Sequence, residues 1–153
     1  MIEIQPNKKN EYQSILSDDA INFLEMEGKI FDYVVVLEPT SPFRKSSTIE
    51  KCIKLISELN ADSLLTLKKT YSNIGNLKSN YYVPLRTNQP RRRQDREPFY
   101  VESSTVYVAK IDFLKNTKSL VSDHWAAYVL DSEEESIDIN SQLDFYLAET
   151  VLK

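Results

Sequence analysis

Asp138-Ile139-Asn140 places two oxygen-bearing side chains at positions i and i+2. On an extended segment such a pair points to one side. Hard oxygens arranged this way can hold Mg²⁺ when phosphates supply the other ligands. A plainer account serves the same residues: Asn140 caps the helix that follows, and Asp138 is a surface carboxylate. A second candidate is Pro90-Arg91-Arg92-Arg93-Gln94-Asp95. A guanidinium keeps its proton and offers a planar fork to carboxylate or phosphate. The run therefore reads as an anion site, or equally as a solvated basic loop or an interface with another subunit. A third is Glu38-Pro39-Thr40-Ser41-Pro42-Phe43-Arg44, two hydroxyls held between prolines. Polar groups fixed just past the carboxyl end of a buried strand are where open α/β sheets bind ligands. The bland alternative is a proline-rich turn whose hydroxyls satisfy local backbone. His124 is the only histidine. It has no partner at a telling spacing, so it reads as a surface residue, and no Ser-His-Asp arrangement can be assembled.

These residues need a scaffold. The chain has 153 residues, 41% of them hydrophobic and 27% charged, enough for one domain with a core of its own. A net charge of −4 supplies no global basic field for nucleic acid, and no nucleic-acid partner is expected. The single cysteine, Cys52, excludes an internal disulfide and a cysteine-based metal cluster, which points to the cytoplasm. Cys52 falls on the apolar side of a helix pattern and reads as a small core residue. The two glycines exclude a glycine-rich phosphate cradle. No apolar run approaches the roughly 20 residues that span a membrane, and the polar Met1–Asn10 stretch does not read as a signal peptide.

In chain order, Asn10 to Glu27 reads as a helix with an apolar stripe of Ile15, Leu16, Ala20, Phe23, Leu24 and Met26. Asn10 is its N-cap and Gly28 its left-handed C′ residue. Tyr33–Leu37 is a continuous apolar run, expected as a strand covered on both faces. Ser47-Thr48-Ile49-Glu50 fits a capping box. It opens a helix carrying Ile49, Cys52, Ile53, Ile56 and Leu59, which Asn60-Ala61-Asp62 stops. Ser63–Leu67 is a second buried strand, and the three elements form a βαβ unit. Residues 68–98 are polar, with a weak hairpin over Lys78–Leu85, and a long stretch with so little core signal implies function or an interface. Phe99–Ala109 reads as a strand, Ile111–Leu114 as a helical turn and Trp125–Leu130 as a strand. A final helix follows, with Leu143, Tyr146, Leu147 and Val151 on one face and Asn140 or Ser141 as its cap.

Four stretches of the chain resemble one family. Leu37-Glu38-Pro39-Thr40-Ser41-Pro42-Phe43-Arg44 is similar to the "LQPTSPLR" signature of the acylneuraminate cytidylyltransferases. Pro90–Gln94 resembles their "PRRQ" segment, and Ser136–Asp144 their "SIDIDTELDL". Tyr100–Tyr107 looks like their "YxENGAIYV", with Ser103-Ser104 where the family has Asn-Gly. The resemblance implies an α/β fold. It is a three-layer, mainly parallel sheet of nucleotide-diphospho-sugar transferase type, N-terminally truncated, in one domain over residues 1–153. It implies transfer of CMP from CTP to a sialic or other nonulosonic acid. Glu38, Thr40, Ser41, Gln94 and Ser103 would bind substrate, and Arg92 and Arg93 would act at the reacting groups. Mg²⁺ would sit on Asp138 and Asn140, weakened because Asn140 replaces an aspartate. A homodimer would form through an arm at about 71–98.

The resemblance runs from about Ile4 to Val151 yet covers only the later two-thirds of a full family member. The family's opening "PARGGSKGIPxKN" loop, which wraps the triphosphate, has no counterpart, and Gln5-Pro6 stands where an arginine-proline pair is expected. The expectation is a chain inactive by itself, whose shortened sheet is covered by its first helix, a second copy or a separate N-terminal fragment. The alternative is a non-catalytic domain that dimerises or binds a sugar acid.

Overall fold

The computed structural model describes residues 20–153. Asn10, Ile15, Leu16 and Gln5-Pro6 lie outside them. Helical backbone over 20–26 is the described part of the first helix, α1. It ends as its sequence implies. Gly28 takes φ +79°, its N–H reaches the Glu25 carbonyl at 2.8 Å, and the Lys29 N–H reaches Leu24 at 3.1 Å. This is the reciprocal pattern of a left-handed helix end. Ile21 is buried, whereas Phe23 and Met26 of the expected stripe are exposed.

The remaining elements are β1 (Tyr33–Val36), α2 (Ser46–Leu59), β2 (Ser63–Thr70), β3 (Gly75–Lys78), β4 (Tyr81–Pro84), β5 (Phe99–Lys110), α3 (Ile111–Thr117), β6 (Trp125–Val129) and α4 (Gln142–Val151). The main sheet runs β1-β5-β2-β6. β2 and β6 pair in parallel, and β5 lies antiparallel to both β1 and β2. Three of the four strands thus share one direction. The βαβ expectation needs one amendment: β1 and β2 are joined through α2, but β5 is inserted between them. A twelve-residue strand arriving later in the chain supplies ladder partners to both.

Helices cover both faces. On one, Cys52 and Ile56 of α2 pack on Leu64, Val106, Val108 and Ala126, with Tyr33 and Val35 at the margin. On the other, Ile21 of α1 and Ile111 and Leu114 of α3 pack with Ala109 and Leu120, flanked by Val34 and Val36. The alternation of β1 side chains between two apolar layers explains why its sequence is apolar without interruption. Its residues are nevertheless only half-buried. Among the described residues β5 is its one strand partner, and an apolar groove of about 460 Å³ runs along it past Ile21, Leu24, Phe31 and Leu37.

Helix α2 starts on Lys45 as N-cap, without a side-chain cap bond. The capping box expected from Ser47 and Glu50 is not formed. Thr48 is the buried residue of the first turn, and its hydroxyl donates to the Glu135 carboxylate at 2.7 Å. The helix starts two residues before Ser47, and the hydroxyl next to it, that of Thr48, is engaged by a partner 87 residues away. The box forms at α4, where Ser141 and Asp144 bond reciprocally. The hairpin β3–β4 turns on Ser79 and Asn80, both at positive φ (46° and 68°), the geometry of a primed two-residue turn. Gly75 is required there, because a Cβ would stand 2.4 Å from the Val83 carbonyl.

Candidate functional site

Helix-type turns and a strand irregularity bring the motifs to one end of the sheet. Pairing of β2 with β5 jumps register between Leu65 and Thr66, so that Leu65 faces Tyr107 while Thr66 faces Ser103. A bulge of this kind kinks the strand and redirects its side chains. The buried Thr66 hydroxyl bridges the gap, donating toward the Ser103 carbonyl at 2.8 Å and accepting from the Val106 N–H at 3.1 Å. The segment so displaced, Ser103-Ser104-Thr105, meets the stretch before α4. Thr105 donates to the Glu135 carbonyl at 2.8 Å.

The double-proline loop is pinned to the same place. Arg44 donates through Nη2 to the Glu38 carbonyl at 2.6 Å and through Nε to the Thr105 carbonyl at 2.5 Å. Its partial burial lowers the guanidinium pKa from the ordinary value, with the nearby Glu38 charge opposing that shift. The Ser41 N–H closes a turn onto Glu38 at 3.2 Å, and the Thr40 carbonyl accepts from the Ile139 N–H at 2.9 Å. The proline loop and the Asp138–Asn140 stretch are therefore backbone neighbours. Ser41 is 4% exposed, and its hydroxyl has no hydrogen-bond partner among the described residues.

Beside this junction opens a hollow of about 880 Å³. Arg93 stands on its rim, and Asp138 and Asn140 form part of its wall, so two of the motifs share one cavity. Lys68, Lys69 and Asp144 also face it. Lysines on the exposed end of a strand look like solvated surface in sequence, and nothing in their spacing singles them out. Asp144 is the partner of Ser141 in the capping box of α4. It accepts from the Ser141 hydroxyl at 2.7 Å and from the Ser141 and Asn140 N–H groups at 2.8 and 3.2 Å. The Ser141 bond, then the Asn140 backbone, hold its carboxyl below the usual range.

The other expected residues sit elsewhere. Glu38, Thr40, Ser41, Arg92, Gln94 and Ser103 are not on the walls of this hollow. Ser103 is 4% exposed and its hydroxyl lies 2.8 Å from that of Thr105. Since Thr105 already donates to Glu135, Ser103 is the donor of that pair. Arg92 leans on Asp95 at 3.7 Å. Arg96 braces the loop from within, donating to the carbonyls of Pro90 at 2.8 Å, Tyr71 at 3.1 Å and Arg91 at 2.5 Å. Arg93, in the same loop, lines the cavity. His124 is exposed, as expected.

Sequence spacing did not disclose Glu135. It is 1% exposed and bonds Thr48 at 2.7 Å and Lys45 at 3.2 Å. It links the start of α2, the β5 bulge and the acidic corner. It stood in sequence as the last of three glutamates, with nothing to mark it off from its exposed neighbours.

The metal expectation can be tested on this geometry. Mg²⁺ demands near-octahedral hard oxygens at about 2.0–2.1 Å. The Asn140 side chain instead turns its NH₂ to Asp138, donating to Oδ2 at 2.6 Å. The Ser104 hydroxyl is 3.5 Å from the same oxygen. The other oxygen, Oδ1, is closed off from solvent with no hydrogen-bond partner among the described residues. Asp144 is committed to its helix cap. Among the described residues no group of three or more histidine, cysteine, aspartate or glutamate side chains is placed to hold a metal ion. The residues as they stand do not fit a divalent cation.

No protein-family model matches the chain. Curated relatives do, among them the three that follow. A CMP-N,N'-diacetyllegionaminic acid synthase of Legionella pneumophila is 28% identical over 141 residues, 89% of this chain and 60% of that protein. A post-translational flagellin modification protein B of Campylobacter coli is 25% identical, covering 80% of this chain and 54% of its own length. An N-acylneuraminate cytidylyltransferase of Streptococcus agalactiae is 24% identical over 84% of this chain and 33% of its own length. Among solved structures, the 4-diphosphocytidyl-2C-methyl-D-erythritol synthase of Anaerococcus prevotii superposes with a TM-score of 0.50 at 15% identity, over 86% of this chain and 64% of that one. That likeness is one of fold, in keeping with an α/β architecture of a mixed sheet covered by helices. The chain spans 60% or less of the length of these curated relatives. They bear out the resemblance read in its motifs: this chain is similar in sequence to acylneuraminate cytidylyltransferases and to a CMP-legionaminic acid synthase.

Proposed function

We propose that the chain carries the sugar-acid side of a cytidylyltransferase that joins CMP from CTP to a nonulosonic acid in the cytoplasm. The supporting observation is the shared hollow, where Arg93 faces the Asp138 corner in a chain whose relatives include enzymes named for these CMP-sugar acids. Arg93 is the group for a carboxylate, since a guanidinium offers it a paired, charge-assisted contact. Lys68 and Lys69 add positive charge on the same wall. The transfer itself needs the part of the relatives' length that this sequence does not cover, so the 153-residue chain by itself does not turn over CTP. A separate N-terminal fragment would lie along the apolar groove beside β1. A second copy would dock through the arm that contains β3 and β4.

The pairing of Asn140 with Asp138 favours a second reading, a domain that binds the sugar acid without transferring anything to it. Calorimetry with a sialic-type acid, and separately with CTP and Mg²⁺, distinguishes the two. Acid binding that weakens by about tenfold or more in Arg93→Ala supports the site, that being the worth of a charged hydrogen bond. CTP binding by the same protein favours the transferase, and acid binding without it favours the binding module. Pyrophosphate release from CTP and the acid by this chain would overturn its inactivity. Failure to bind either ligand would overturn the assignment.

A further inference from the structure

We propose that the Asn140 amide takes the place of a divalent cation in this chain, so that the hollow holds its acidic corner together without metal. A carboxylate facing a cavity needs a positive or donor group to hold it in place. In a two-carboxylate corner the facing oxygens repel, and a bound cation is one way to relieve them. Here the second side chain is an amide, which has an NH₂ to offer. An amide oxygen set 2.6 Å from a carboxylate oxygen would be repulsive, so the contact seen from Asn140 to Asp138 fixes the amide with its nitrogen inward. The donor occupies a position on Oδ2 that a cation would otherwise take. The Asn140 backbone is itself fixed, its N–H donating to Asp144 at 3.2 Å, while the neighbouring Ile139 N–H is held by Thr40 at 2.9 Å. The clamp is therefore built into the chain path on both sides, and a cation would have to expel the amide to reach a single carboxylate.

The inference concerns the corner without nucleotide, and it stands or falls independently of whether the chain binds CTP. It is tested by titrating Mn²⁺ into the metal-free protein, followed by calorimetry and by the loss of free Mn²⁺ signal in electron paramagnetic resonance. The wild type, Asn140→Asp and the Asn140→Asp/Asp138→Asn double variant are compared. The wild type is expected to show no saturable site. Asn140→Asp should gain one, at least about tenfold tighter than any residual wild-type binding, as a full second charge replaces a donor. The double variant should lose that gain. Asn140 is exposed, so its replacement does not threaten folding, and circular dichroism of each variant confirms this. Saturable Mn²⁺ binding by the wild type that Asp138→Asn removes would overturn the proposal. So would an Asn140→Asp variant with no gain, or a gain that survives in the double variant.

Discussion

At the scale of single residues, Glu135 organises more of the site than any residue with a motif to its name. A carboxylate 1% exposed is costly to bury unless its oxygens find donors. Thr48 provides one from the first turn of α2, and Lys45 provides a charge from the helix cap. The two partners differ in burial: Thr48 is enclosed, whereas the Lys45 side chain is 54% exposed. The expectation is that Thr48→Val, which keeps shape and removes the donor, lowers stability in urea by about 1–3 kcal/mol. Lys45→Met should cost under about 1 kcal/mol, because water screens that pair. The reverse ranking would mean that charge, not the hydroxyl, holds the carboxylate. Cys52 belongs to the same neighbourhood. Burial, and then the Glu135 charge, push its thiol up to about 12, and the side chain is wholly enclosed. A thiol needs its thiolate to react. Cys52 should therefore ignore a disulfide reagent at pH 8 in the folded protein and react at once in denaturant; fast labelling of the native chain would contradict this packing.

Among the elements, α4 carries a testable electrostatic feature. The Ser141–Asp144 box satisfies backbone donors at its start, and Ser141→Ala should cost about 0.5–2 kcal/mol. Asp144 has a folded pKa depressed below its unfolded value of about 3.9. Its contribution is therefore complete above about pH 4 and is lost as the pH falls through the folded value. Amide protection in the first turn of α4 should fade over that acid range, and Asp144→Asn should flatten the response. Because Asp144 also accepts from the Asn140 N–H, the same protonation loosens the corner of the hollow. The β5 bulge is the second element-scale device. Without the register jump, Ser103 to Thr105 would continue the ladder on β2 instead of turning toward Glu135. Thr66, wholly buried in the gap, closes it with its hydroxyl.

For the whole molecule, the question is what meets its exposed apolar surface. Leu77 and Tyr81 of the hairpin are 73% and 77% exposed, on a two-stranded unit that stands apart from the main sheet. Such a ribbon gains little stability by itself, and an exposed apolar patch marks an interaction surface. Dimerisation through this arm should appear as a concentration-dependent sedimentation coefficient. The pair Leu77→Glu and Tyr81→Glu should shift it to the monomer value while leaving the thermal midpoint of the monomer unchanged. Dimers that survive both changes would place the interface elsewhere, for which α4 is the next surface: Leu143, Tyr146 and Leu147 are all more than half exposed. The sequence groups them on one face of that helix. The described fold buries Ala148 instead.

Sequence by itself determined what depends on near neighbours. The apolar run of β1, the glycine end of α1, the helical spacing of Cys52 and Ile56 and the cap of α4 all follow from near neighbours in the chain. The motifs also disclosed the family, since runs of adjacent residues keep their order whatever surrounds them. What only the tertiary structure decided are the pairings across long gaps: β5 entering between β1 and β2, Thr48 bonding Glu135, and Arg93 lining the same hollow as Asp138. A carboxylate, a lysine or a threonine has the same local preferences wherever it stands. Which of them is enclosed, and which partner it meets there, is set by the packing of segments that are distant in the chain.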